Sequence, residues 1–477
     1  MEATSNRFAD NARRALGDAQ LQRALTNVPR GFVAKRAAAR ERLPEFDDLR
    51  DQARDIKNET LANLDLYLEE YERKVVEAGG VVHWAADGAE ASAIVADILR
   101  DCGARVVTKG KSMVSEEMGL NPALEAAGFD VVETDLGEYL IQIRGETPSH
   151  IIAPAVHLNK DQVEADFRRL HTDLPADRDL DEPAALVAEA RRVLRAKFLA
   201  ADAGITGANF LVAENGASII VTNEGNGDLT QTLAKTHIVV ASLEKVIPTL
   251  EDATTILRLL ARSATGQECS TYTTLTTGPR RPGDPDGPEA FHVVLLDNGR
   301  SELVGGEFRD ILRCIRCGAC MNHCPVYQAV GGHAYGWVYP GPIGAVLTPS
   351  LIGIEQSSAL PAASTFCGRC EAVCPMRIPL PGLMRKWRER AFAAGEPGGV
   401  QRFAWRAWAW AVGQPRLYHF GAGIAIWVLA RFWSRDGRLT NPPLLGAWMK
   451  TREFPAPEGA TFHQLWKARR TARGGGQ

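Results

Sequence analysis

Seven of the nine cysteines lie between Cys314 and Cys374 in two blocks, with only Cys102 and Cys269 outside them. In an intracellular chain, clustered cysteines point to metal binding rather than to disulfides. Cys314, Cys317, Cys320 and Cys324, followed by Pro325, make C-x2-C-x2-C-x3-C-P. This is the ferredoxin-type spacing for an iron–sulfur cluster, in which the fourth cysteine serves the other cluster of a pair. Three thiolates a short step apart wrap one cube, whereas the residue before proline is driven extended and points away.

The second block, Cys367, Cys370 and Cys374 with Pro375, reads C-x2-C-x3-C-P and has Ser364 where the first cysteine belongs. By the crossed rule, Cys314, Cys317, Cys320 and Cys374 hold cluster 1, while Cys324, Cys367 and Cys370 hold cluster 2. The fourth iron of cluster 2 then takes Ser364, water or a remote residue, or is absent as in a 3Fe-4S centre. Zinc is the competing metal, but the triple spacing and the C-P ending of both blocks disfavour it. Arg313, Arg316, Arg369 and Arg377 flank the blocks and either offset thiolate charge, which raises the reduction potential, or are solvated.

Other constellations fail on inspection. Thr108-Lys109-Gly110-Lys111-Ser112 resembles the end of a P-loop, but Arg105 stands where that motif needs glycine. Gly225-Asn226-Gly227-Asp228-Leu229-Thr230 ends in threonine where a dinucleotide fingerprint needs glycine, so it reads as a turn. His323 beside a cluster ligand is expected to be solvated or core-packed. Glu214 and Glu224 lie at strand ends, where either catalysis or a turn would place them. No catalytic residue is assigned.

The elements that position the cysteines read as follows. Residues 5 to 79 are helical, with Leu61, Leu64, Leu68, Tyr71 and Val75 at helical spacing and Gly79-Gly80 as the stop. Short apolar runs then alternate with helical stretches such as Ala89 to Leu99: Val81 to Trp84, Val106 to Thr108, Val131-Val132 and Ile151 to Ala153. That rhythm predicts a parallel α/β sheet. Ala208 to Ala213 and Ser218 to Thr222 form a hairpin around Glu214-Asn215-Gly216, which makes the expected sheet mixed. His237 to Ala241 and Phe291 to Leu296 add strands, and the segment from Gly278 to Pro288, with four prolines and three glycines, is a loop.

The domains are therefore placed at 1–79 (helical), 80–300 (α/β), 301–390 (iron–sulfur) and 391–477 (tail). The 42 residues between Cys324 and Cys367 are too many for a compact bacterial ferredoxin and favour an all-helical two-cluster module.

With 477 residues, 45% apolar and 24% charged, the chain is large enough for about three domains, and it is neither disordered, collagen-like nor a disulfide mini-protein. Its net charge of −3 conceals an uneven spread, because Pro381 to Gln477 carries 16 Lys+Arg against 5 Asp+Glu and eight of the ten tryptophans. Such a tail suits a partner surface or the anionic face of a membrane. Trp405, Trp408 and Trp410 cannot share one helical face, so some are expected to pack inward, as in a helical cap over the clusters. The longest uncharged apolar run, Leu417 to Ala430, is shorter than the roughly 20 residues of a membrane span. Met1 to Ala15 has no apolar core of a secretory signal. A cytoplasmic location is expected, with peripheral contact at the inner membrane face as a further option.

The chain resembles the lactate utilization protein B family along nearly its whole length. The resemblance is carried by both cysteine blocks and by Gly31-Phe32 through Lys35-Arg36, Leu43-Pro44-Glu45-Phe46, Gly207-Ala208-Asn209, Thr222-Asn223-Glu224-Gly225-Asn226 and Gly331 to Thr348. It implies a lactate-utilization-type α/β domain related to sugar-phosphate isomerases and CoA-transferases (NagB/RpiA-like), then a helical ferredoxin and a family-specific C-terminal region. It also implies two 4Fe-4S clusters, one with a ligand unfilled, and electron carriage in the oxidation of L-lactate to pyruvate beside two partner proteins.

On this reading the chain is an electron-transfer subunit that passes electrons toward a quinone or another carrier and need not itself touch the carbon of lactate. No nucleic-acid partner is expected. The rival is an enzyme whose α/β domain binds a small carboxylate or nucleotide, with Glu214 or Glu224 as acid or base. No flavin motif is visible, so a two-electron acceptor must be supplied elsewhere.

Overall fold

Helices with one apolar stripe open the chain and become walls of the core. In Phe46–Ala62 the buried positions Phe46, Leu49, Ala53, Thr60 and Leu61 recur at helical spacing, and in Leu64–Glu77 they are Leu64, Leu68, Tyr71 and Val75. The computed structural model describes residues 3–110, 112–396, 398–440, 449 and 452–474; Lys111 of the P-loop-like run lies outside them.

Ten strands follow: β1 (Val81–Ala85), β2 (Val106–Lys109), β3 (Asp130–Glu133), β4 (Ala203–Gly207), β5 (Phe210–Val212), β6 (Ala217–Thr222), β7 (Thr236–Ser242), β8 (Val246–Ile247), β9 (Tyr272–Thr276) and β10 (Ala290–Leu296). Six form one sheet in the order β1-β10-β7-β4-β2-β3, and every pairing in it is parallel. All seven residues of β7 are buried, as expected of a central parallel strand covered on both faces.

The expected mixed sheet is thus corrected. The hairpin strands β5 and β6 leave the main sheet and build a second one, β8-β5-β6-β9, with β5 and β6 antiparallel. Their connection needs a left-handed residue only at Gly216, φ 70°, rather than at both Asn215 and Gly216. Two further expectations fail. Ile151 to Ala153 is a turn, not a strand, and Gly225-Asn226-Gly227 opens the helix Asn226–Leu233 rather than forming a turn.

From Arg300 to Ala394 every regular element is helical, including Ala319–Asn322, Pro325–Val330, Gly341–Ile352, Arg369–Val373 and Leu380–Ala394. Phe46 and Leu49 from the N-terminal helices, Phe210 and Ile219 from the second sheet, and Phe308, Tyr339 and Trp387 from the cysteine region belong to one hydrophobic cluster. Apart from the exposed Cys367, the cysteine blocks are therefore packed in or against the same core as the second sheet. Residues Met1–Ala391 form one compact unit and Phe392–Gln477 a second.

In the second unit, Gly399–Val412 and Pro415–Phe432 contain no buried residue. Trp405, Trp408 and Trp410 are all exposed, which corrects the expectation that some pack inward: Trp405 and Trp408 meet edge to face at 6.1 Å on the surface of their own helix. Leu417 to Ala430 lies inside the second of these helices, and among the described residues no helix is long and apolar enough to cross a membrane.

Candidate iron–sulfur sites and the cavity beside them

The two blocks repeat one local geometry. In the first, Arg316 (φ 58°) and Gly318 (φ 70°) flank Cys317; in the second, Phe366 (φ 54°) and Gly368 (φ 77°) flank Cys367. Left-handed backbone at a non-glycine residue is uncommon and marks a turn held for a purpose. The Arg316 N–H donates to Cys314 Sγ at 3.4 Å, and the Phe366 N–H donates to Ser364 Oγ at 3.1 Å. Ser364 therefore occupies the place that Cys314 holds in the first block.

Two cavities each draw thiols from both blocks. Cys314, Cys317, Cys320 and Cys374 line one cavity together with Ile151, Ile343, Met376 and Ile378. Cys324, Cys367 and Cys370 line another with Ser364, Pro325 and Met384. Cys102 and Cys269 are exposed and line neither. Burial pushes the Cys317 and Cys370 thiols up to about 12 and Cys374 up to about 11, whereas the backbone N–H of Arg369 lowers the exposed Cys367. Convergent thiols in an apolar cavity are a poor place for free thiolates and a good one for sulfur-ligated iron. The donor sets, four thiols on one side and three thiols with a hydroxyl on the other, fit two clusters.

Buried cations surround the first cavity, mostly from segments that spacing did not single out. Arg50 donates to the Cys374 carbonyl at 3.0 Å from Nε and 2.7 Å from Nη2, and Arg36 donates to the Val373 carbonyl at 2.8 Å. Both clamp the turn that carries Cys374. Of the four flanking arginines, Arg313 and Arg316 are buried, Arg377 pairs with Asp51 at 3.1 Å, and Arg369 is exposed.

Arg316 Nη2 meets Glu244 Oε1 at 3.1 Å, Glu244 Oε2 meets Arg300 Nε at 2.8 Å, and Arg300 Nη2 meets Glu117 Oε2 at 2.7 Å. Burial pushes Glu244 up, but the two guanidiniums outweigh it and hold the carboxyl at about 2. Lys57 donates to the Glu244 and Val246 carbonyls, and burial pushes it down to about 7; burial likewise takes Lys245 to about 8.

The rejected motifs are accounted for. Lys109 is fully buried and paired with Glu133 at 2.7 Å and Glu116 at 3.1 Å, so it supports the sheet rather than a phosphate. His323 is core-packed, its Nδ1 at 2.9 Å from the Ala319 carbonyl. Glu214 accepts from the Leu250 N–H at 3.1 Å, and Glu224 is exposed. A further cavity of about 210 Å³ opens at the C-terminal ends of β2, β4 and β7, and Ile151, Ile315, Arg316 and Cys317 line both it and the first cysteine cavity.

An α/β layer joined to paired cysteine blocks defines a two-cluster iron–sulfur protein, and the comparisons agree: the LUD domain family matches residues 68–296 and the 4Fe-4S dicluster domain matches residues 310–378. The C-terminal domain of lactate utilisation protein B matches residues 395–471. The chain is 41% identical to lactate utilization protein B of Bacillus licheniformis over 99% of both chains, and 44% identical to that of Geobacillus thermodenitrificans over 92% of both. The chain belongs to the lactate utilization protein B family. A solved DUF162 family protein from Deinococcus radiodurans aligns with 49% of this chain and 98% of its own at 14% identity, but its TM-score of 0.29 carries no argument.

Proposed function

We propose that the chain is the iron–sulfur electron-transfer subunit of an assembly that oxidises L-lactate to pyruvate. It takes electrons from a partner and passes them toward a quinone or another carrier. The α/β domain is of the sugar-phosphate isomerase and CoA-transferase type, and the cysteine region is of the helical ferredoxin class.

Cys314, Cys317, Cys320 and Cys374 hold the first 4Fe-4S cluster. Cys324, Cys367, Cys370 and the Ser364 hydroxyl hold the second. The observation that carries this reading is the grouping of thiols from both blocks at each of two cavities. The equivalence of Ser364 and Cys314 supports a complete cluster in the second cavity over a 3Fe-4S centre. Such clusters supply one-electron storage, so the two-electron step on lactate falls to a partner with a two-electron acceptor.

Iron and sulfide analysis with EPR on anaerobically prepared protein tests the cofactor assignment: roughly eight iron atoms per chain are expected for two cubes. Tightly bound zinc without sulfide would refute it. Reduction of the clusters by L-lactate only when the partner proteins are present tests the carrier role.

A further inference from the structure

The cavity at the end of the main sheet lies where the chain reverses its direction of travel. From β2 the chain moves outward to β3, then returns to place β4 on the other side of β2, with β7, β10 and β1 beyond. In open parallel sheets the crevice outside the carboxyl ends of the strands at such a switch point is where ligands bind. Ser112 and Met113 follow β2, Gly207 to Asn209 end and follow β4, and Lys245 follows β7; all line the cavity.

Three of its polar side chains keep hydrogen-bonding capacity that the described residues do not use. Lys245 is 7% exposed and makes no hydrogen bond or ion pair among the described residues. It lines this cavity and not the cysteine cavity, and it lies within electrostatic reach of Glu244 and Cys314. Arg316 spends Nη2 on Glu244, while its buried Nε and Nη1 have no partner. Asn226 is 6% exposed, and its Oδ1 is buried and unpaired. It begins the helix Asn226–Leu233, which no side chain caps. The two carboxylates at the cavity are accounted for, since Asp135 caps the helix that begins at Leu136 and Glu224 is exposed. An unpaired buried cation and an unpaired buried acceptor cost free energy unless a ligand meets them.

We propose that this cavity binds a small 2-hydroxy carboxylate, with Lys245 and Arg316 meeting the carboxylate and Asn226 Oδ1 accepting the hydroxyl. The inference rests on the lactate-oxidation reading above and adds a binding site on this chain. The rest of the lining mixes apolar side chains, including Met113, Ile151, Ile152, Val221 and Leu260, with neutral polar ones such as Ser112, Asn209, Thr222 and Thr265, and suits a short hydroxylated carbon skeleton better than inorganic phosphate. A volume of about 210 Å³ falls below the roughly 300–1,000 Å³ of pockets for drug-sized ligands and matches a small molecule. Because Ile315, Arg316 and Cys317 form the shared wall, the bound anion sits one residue's thickness from the first cluster site.

Equilibrium binding of radiolabelled L-lactate to the anaerobic, cluster-loaded chain without its partners is the test, with inorganic phosphate as the second probe. Saturable binding of lactate at one site per chain is expected. Lys245→Met should weaken it about tenfold or more and Lys245→Arg should retain it. Asn226→Leu, whose residue lines neither cysteine cavity, should also weaken it and decides the matter if Lys245→Met loses iron. No saturable lactate binding, binding of phosphate alone, or undiminished binding in Asn226→Leu or in an iron-replete Lys245→Met overturns the proposal. If lactate fails to bind while the partners still reduce the clusters with it, the site falls and the carrier role stands.

Discussion

Cys374 lies 50 residues beyond Cys324, yet lines the cavity of Cys314, Cys317 and Cys320. Cys374→Ser is therefore expected to damage the cluster built mainly by the first block, whereas Cys102→Ser and Cys269→Ser leave both EPR signals unchanged. Loss of a signal in either outlying variant would mean that the second site takes a remote cysteine instead of Ser364. His237 on β7 illustrates the opposite use of a titratable side chain. It is buried, bonded through Nε2 to Thr206 Oγ1 at 2.8 Å, and pushed down to about 3 by burial alone. Between that value and the ordinary 6.5 the unfolded chain binds the proton and the folded chain does not. Stability should accordingly fall as pH drops through 6.5, by up to about 1.4 kcal/mol per pH unit. Urea unfolding at pH 7.5 and 5.5 should show His237→Gln losing less stability on acidification than the native chain. Equal losses would mean that the ring takes up its proton in the folded state.

At the scale of elements, β4 can lie beneath the helix Asn226–Leu233 only because residue 204 is glycine: a Cβ there would sit 1.9 Å from the Thr230 carbonyl oxygen. Gly204→Ala should destabilise the α/β layers by about 3 kcal/mol or more, since backbone must move. Gly31→Ala, with nothing within 4 Å of the added carbon, should shift the unfolding midpoint little. The same glycine hid β4 from the sequence, because Ala-Gly-Ile-Thr-Gly has the composition of a loop. By contrast β1, β2, β3, β7 and β10 are short β-branched runs between turns, and they were legible. Ile151 to Ala153 looked alike but precedes Pro154, and Ile151 instead packs against the cysteine cavity as part of a turn. The cysteine blocks were legible because their thiols come at the short local spacings that sulfur-ligated iron requires. The surrounding charges were not, since Arg50, Lys57, Glu244, Lys245 and Arg300 come from separate segments and an isolated charge in a sequence implies solvent. Only the fold brings them together, and only the fold turns the Gly225-Asn226-Gly227 run into the start of a helix that borders a cavity.

For the whole molecule, the division after Ala391 separates two kinds of surface. The first unit holds both sheets and all seven clustered cysteines, and six of these pack in or against one core together with the second sheet. The second exposes Phe403, Trp405, Trp408, Trp410, Phe420 and Trp427 in a stretch that also carries Arg406 and Arg416 and no acidic residue. Apolar patches of that kind, interspersed with arginine, resemble the composition of protein interfaces, where tryptophan and arginine anchor the contact. A membrane surface would also attract them, but Gly421 and Gly423 interrupt the apolar helix Pro415–Phe432, and that weakens it as an anchor. Removing Arg402 to Gln477 should leave the α/β layers folded and the iron content unchanged, because no cysteine ligand lies in the tail. The truncated chain should, however, no longer co-purify with the other proteins of the lactate-oxidising assembly. The measurement is iron content first and co-purification second. A truncated chain that keeps its clusters and still assembles as well as the full chain would assign the docking surface to the first unit instead.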